Sequence, residues 1–217
     1  MRRVGSRIFY RKSNFPVWIL MVCVGFFSGL LAEEMVAQVE RPLAWEEAKE
    51  LIDIFLKNPS KENAEIICEF LLGKGKSYKD QPEWIGKLLQ YSIEGDAGEI
   101  IRYEILAGNL WAAKVAYRLI DLSDGHFTEE LCRTFGRLIR INPRVFLETI
   151  KTNPDTHHIK CSVLFSPFIE NELYDDNLED MRRHEYIERI RALMTVDMPE
   201  LKAIRDRCVA ILQAELR

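Results

Sequence analysis

Proline placement constrains this chain more than any other feature. A proline lacks the amide hydrogen that a helix interior needs, and its ring clashes with the preceding turn, so it is tolerated chiefly in a first turn. Apart from Pro16, the prolines stand at positions 42, 59, 82, 143, 154, 167 and 199, each at the start of an apolar run with helical spacing. The long intervals between them are free of this breaker. A chain punctuated in this way is expected to be all-α.

The apolar spacing supports that division. Trp45, Ala48, Leu51, Ile52 and Phe55 follow Pro42 at three- and four-residue steps and end at Asn58-Pro59. Ser60 can cap a second helix carrying Ala64, Ile67, Cys68 and Leu71. Pro82 opens a third with Trp84, Ile85, Leu88 and Leu89, which Gly95-Asp96 breaks; Ile100, Ile101, Tyr103 and Ile105 belong to a fourth that ends at Gly108-Asn109. Residues 110–150 read as two antiparallel helices and the start of another. Ala112, Val115, Ala116, Leu119 and Ile120 line the first, and Phe127, Leu131, Phe135, Leu138 and Ile139 the second, with Ser123-Asp124-Gly125 as the turn between. Asn142 is the expected N-cap of the next, with Pro143 at its first position.

Beyond Asn153-Pro154, Ile159, Cys161, Val163 and Phe165 alternate as a strand would. An isolated strand is not stable and no second one is available, so this stretch is also expected to be helical. Two longer helices close the chain. Residues 178–196 carry Met181, Ile187, Ile190 and Met194, and residues 199–216 carry Leu201, Ile204, Cys208, Ile211 and Leu212. Successive helix pairs of this kind resemble the HEAT or tetratricopeptide style of α-solenoid, although the position signature of a tetratricopeptide unit is absent. The expected architecture of residues 42–217 is a single all-helical domain of antiparallel helix pairs, solenoid-like, with an irregular helical bundle as the alternative.

The first 32 residues are different in kind. Arg2, Arg3, Arg7, Arg11 and Lys12 are the only charges there, and residues 13–32 carry none. A positive flank before an apolar run is either an export signal cleaved after Ala32 or an uncleaved membrane anchor, and residues 33–41 are a polar spacer. Leu30 is larger than a cleavage site prefers, and Val22 before Cys23 is too bulky for a lipoprotein box. In both readings the positive flank stays inside, so residues 33–217 are expected outside the cytoplasm, periplasmic or held at the inner membrane through residues 13–32.

Of the 30 basic residues five precede residue 33, which leaves 25 against 34 acidic ones, a net charge of −9 for the remainder. Such a body repels phosphate backbones and has no basic stripe with interleaved aromatics, which excludes a nucleic-acid partner. Outside Cys23 the cysteines are Cys68, Cys132, Cys161 and Cys208, enough for two disulfides in three connectivities in an oxidising compartment.

Motifs for chemistry are incomplete. Gly73-Lys74-Gly75-Lys76-Ser77 ends like a phosphate-binding loop, but Phe70 occupies the first glycine position and a helix precedes it. Asp155, His157, His158 and Cys161 are the densest group of potential metal ligands, yet no second ligand pair has regular spacing. His184-Glu185 begins a zinc-protease pattern that Glu188 fails to complete. Glu170, Glu172, Asp175, Asp176, Glu179 and Asp180 lack calcium-loop spacing, and the last of them suit the N-terminal dipole of the following helix. No nucleophile elbow or nucleotide fingerprint is present. The expectation is therefore an exported, non-catalytic helical module that binds a protein or peptide, without catalytic residues, cofactor or metal. The alternative is an exported enzyme or metal-binding protein using His157, His158 and the acidic residues between 170 and 180.

Export has a direct test. A reporter enzyme that works only outside the cytoplasm, fused after Arg217, is expected to be active. A silent fusion, beside an active control of the same reporter, contradicts the expected topology.

Overall fold

The computed structural model describes residues 44–72, 82–123, 125–152, 156–164 and 178–217, with the side chains of Thr156, His157 and Leu178 excepted. The expected export segment 1–32, the expected spacer 33–41, the loop 73–77, Asp155 and the acidic residues 170–177 lie outside the described residues. Within them, every regular element is helical and there is no strand. In chain order these are α1 (44–57), α2 (Lys61–Leu71), α3 (Glu83–Leu89), α4 (Asp96–Leu106), α5 (Leu110–Ile120), α6 (Gly125–Ile141), α7 (Pro143–Lys151), α8 (Thr156–Leu164), α9 (Leu178–Met194) and α10 (Lys202–Glu215). A π-helical turn, Gln90–Glu94, prolongs α3, and a 3-10 turn, Pro199–Leu201, leads into α10.

Polar caps begin the helices where the sequence places them. Ser60 accepts from the Asn63 amide at 3.3 Å, and Asn142 accepts from the Val145 amide at 3.2 Å with Pro143 in the first turn. Asn109 does more. Its oxygen accepts from the amides of Trp111 and Ala112, while its nitrogen donates to Glu104 Oε2 at 3.0 Å and reaches the Pro59 carbonyl at 3.4 Å. One side chain thus caps α5 and ties it to α4 and to the approach of α2.

The expected core is present around α6, which packs against α4, α5, α7, α8 and α9. Phe135 is fully buried, 5.6 Å from the Tyr117 ring edge-to-face and 6.4 Å from Phe146. Removing such a ring typically costs about 3–5 kcal/mol, much of a domain's net stability. Stacking contacts also link alternate helices: α5 rests on α7, α4 on α6, α6 on α8, and α8 on α10. The alternating pattern from residue 159 resolves as α8, where Ile159, Ser162 and Val163 point inward at helical spacing.

In α9 the inward face departs from expectation. Met181, Ile187 and Met194 are exposed, and the buried positions are Glu185, Tyr186, Arg189 and Leu193. The four-residue steps through 185, 189 and 193 turn a charged pair towards the core. Arg189 donates to Glu185 at 3.1 Å and to the Val163 carbonyl at 2.6 Å; Arg140 reaches the other Glu185 oxygen at 2.9 Å. A hydropathy reading ranks charged residues outermost, so it selects the wrong face. Burial pulls the Arg189 pKa below its ordinary value against the attraction of Glu185. Two hydrogen-bonding partners are what make a buried guanidinium tolerable.

The π-helical turn has no signal in the local sequence. It widens the end of α3 so that the Gly95 amide reaches the Gln90 carbonyl at 3.0 Å, and α4 then doubles back closely. On that turn the Tyr91 hydroxyl donates to Asp53 of α1, which also holds Lys49 at 2.6 Å. The return is so tight that a Cβ at Gly98 would lie 2.2 Å from the Ile93 carbonyl oxygen. Gly98→Ala is therefore expected to lower unfolding free energy by about 1–3 kcal/mol. At exposed Gly86 a Cβ would meet nothing within 4 Å, so Gly86→Ala should gain up to about 1 kcal/mol. Denaturant titrations of both variants decide it, and equal midpoints would remove the close packing at residue 98.

Candidate functional site

An open groove of about 440 Å³ lies between α2 and α5, with Thr152 after α7 also in its lining. On α2 the steps of four from Ala64 through Cys68 to Leu72 bring three residues to one wall, with Glu65 beside them. On α5, Trp111, Lys114, Tyr117 and Arg118 form the other wall at steps of three and four. The opposite side of α5, through Ala112, Val115, Ala116 and Leu119, is fully buried. The groove exists because α5 is apolar on one face and mixed on the other, while the small Ala64 keeps the facing wall low.

The cations are positioned by neighbours. Lys114 Nζ sits 4.5 Å above the Trp111 ring, a cation–π contact that leaves the ammonium at the rim. The Arg118 guanidinium pairs with Asp121, in the turn that ends α5. His158 Nδ1 of α8 lies 3.1 Å from Asp121 Oδ1, and the His158 and Tyr117 rings stand perpendicular, 6.3 Å apart. This rear wall joins the groove to the aromatic core, since Tyr117 packs on Phe135.

Burial pushes the Cys68 thiol up to about 11, outweighing the pull of Arg118 and Lys114. Cys68 is then a thiol at neutral pH and not a nucleophile. The groove offers an apolar bed, the Lys114 ammonium, the Glu65 carboxylate and an Arg118 guanidinium already paired with Asp121.

The residues singled out by sequence separate in space. His158 engages Asp121 and Tyr117, while Cys161, one turn further on α8, turns to Cys132 of α6. Asp155 lies outside the described residues, as does the His157 side chain. His184 is exposed, Glu185 is buried against Arg189 and Arg140, and Glu188 pairs with Arg191 at 2.5 Å, so the three point different ways. Glu185, a charged residue that residue type alone would set in solvent, is buried against two arginines. Glu179 and Asp180 are exposed in the first turn of α9, as the dipole argument requires. Among the described residues, no three His, Cys, Asp or Glu side chains come together as a metal site. No described helix is long and apolar enough to cross a membrane.

Sequence reasoning passes over Trp111, Lys114 and Arg118. Their spacing marks a polar-edged face of α5, but nothing local says that α2 stands opposite it. Comparison with protein-family models, with characterised proteins and with solved structures finds no match to this chain.

The thiols provide a test of the site's electrostatics. In the reduced protein, Cys132 holds the Cys161 thiol below its ordinary value, with His158 assisting, whereas Cys68 is raised. Alkylation follows the thiolate, so a short pulse at neutral pH should label Cys161 well before Cys68. Labelling of Cys68 should grow as pH rises towards 11. Peptide mapping that finds Cys68 modified first contradicts the assignment.

Proposed function

We propose that this chain is an exported, non-catalytic helical interaction module of a bacterial-type cell envelope, and that the α2–α5 groove binds a segment of another protein. The occupant that fits is a short peptide with a carboxylate beside an apolar side chain. One observation carries this reading: the groove sets the Lys114 ammonium beside an apolar wall on a body whose charge from residue 33 onward is −9. A cation placed beside apolar surface on a negative body offers a carboxylate a local partner that the rest of the surface does not. The volume of about 440 Å³ suits one or two anchoring side chains.

The packing of α5 on α7 and of α4, α6, α8 and α10 in succession supports a solenoid-like stack of helix pairs. Stacks of this kind bind extended segments in grooves between neighbouring helices. Export rests on the positive flank and the uncharged run of residues 13–32. Whether that run is cleaved or remains as an anchor, the groove is on the same side.

Fluorescence anisotropy on the full chain in mild detergent tests the groove, using labelled twelve-residue peptides with leucine–aspartate pairs and matched leucine–lysine controls. The acidic peptides should bind and the basic ones should not. Lys114→Glu should weaken binding about tenfold, equivalent to roughly 1.4 kcal/mol, and Leu72→Asp should weaken it as well. Tyr103→Ser, an exposed change on α4, is the neutral control. Equal binding by acidic and basic peptides, or indifference to Lys114→Glu, overturns the assignment.

A further inference from the structure

We infer that Cys132 and Cys161 form a reversible disulfide that locks α8 onto α6, with Cys161 as the attacking thiol. The two helices pack directly against one another. Cys132 is fully buried in that seam, its sulfur 3.9 Å from the hydroxyl of Ser162, the neighbour of Cys161 in the chain. Cys161 is only half-buried, so the pair has one sulfur facing the core and one that solvent-borne reagents reach. The thiols are close enough that each is the largest influence on the ionisation of the other: Cys161 is lowered and Cys132 raised.

The remaining cysteines occupy other places. Cys68 lines the groove on α2, which packs on α5, and Cys208 is buried on α10, which packs on α7, α8 and α9. All four are free thiols in this structure; of the pairings they permit, Cys132 with Cys161 is the one that the packing of α6 on α8 favours.

Oxidation needs an electron acceptor, here a disulfide R–S–S–R, either a small-molecule one or that of an exported dithiol oxidase. The Cys161 thiolate attacks one sulfur of R–S–S–R, forming Cys161–S–S–R and releasing RS⁻. Cys132 then gives its proton to the released thiolate and attacks the Cys161 sulfur. The Cys132–Cys161 bond forms and the second RS⁻ leaves, taking the proton that Cys161 gave up at the start. Two thiols are oxidised to one disulfide and one R–S–S–R is reduced to two RSH. The buried sulfur forms its bond with the neighbour already beside it, and only its proton has to leave the seam. Joining α6 to α8 across α7 restricts the unfolded chain, so the oxidised form is the more stable one.

The test uses the full chain, reduced and then exposed to oxidised glutathione, with remaining thiols alkylated after denaturation and the peptides mapped. The expected result is a linked Cys132–Cys161 peptide, Cys68 and Cys208 alkylated, and a melting temperature several degrees above that of the reduced protein, reversed by dithiothreitol. In Cys132→Ala the reaction should stop after the first step, with glutathione accumulating on Cys161. In Cys161→Ala, glutathione should be absent from Cys132. Alkylation of both Cys132 and Cys161 after oxidation overturns the proposal, as does a linked peptide that includes Cys68 or Cys208. Should either variant fail to fold, the wild-type map decides alone.

Discussion

Everything in the described fold leans on the contact of Phe135 with the helices on either side of it. Its ring meets Tyr117 of α5 edge-to-face and Phe146 of α7 at a tilt, so three consecutive helices share one buried aromatic cluster. Ala112, Ala113 and Ala116 are small enough to let the helix backbones approach closely around it. The cluster also sets the position of the groove. Tyr117 is both a wall of the cavity and a partner of Phe135, and its neighbours on α5, Lys114 and Arg118, are presented outward because Tyr117 is held inward.

The second constraint is electrostatic. Arg189 is completely buried, and its guanidinium is satisfied by Glu185 and by the Val163 carbonyl at the end of α8. Breaking such a pair by removing one partner costs about 3–5 kcal/mol, because the other charge is left in a low-dielectric interior. The guanidinium hydrogen-bonds within α9 to Glu185 and across to the end of α8, so it joins the two helices at a defined point. Arg140 extends this arrangement to α6, which meets α9 at the Glu185 carboxylate, while α8 joins through Arg189.

His158 and Cys161 stand on adjacent sides of α8. His158 on α8 holds Asp121 behind the groove, and Cys161, on the next turn, faces Cys132. The spacing of three residues explains the division of labour, since a step of about 100° per residue carries the side chains to neighbouring and not identical directions. The two ligand types that look like a metal pair in the linear sequence are therefore drawn to different partners on α5 and α6.

Much of this is legible from residue order alone. Helicity, the caps at Ser60 and Asn142, the breaks at Gly95 and Gly108, and the inward placement of Phe135 all follow from local rules: which residues start a turn, which cannot continue one, and which repeat at helical spacing. These rules act within a few residues of chain. The π-helical turn at Gln90, the inward face of α9 and the groove do not obey them, because each depends on a neighbour outside the reach of such rules. Gly98 has to be small because Ile93 doubles back on it; Glu185 is buried because Arg189 and Arg140 neutralise it; Lys114 edges a cavity because α2 faces α5 at a distance. Local propensity determines which segments are helices and where they end. Tertiary packing alone decides which face is buried, since desolvation is settled by what the other side of the contact supplies.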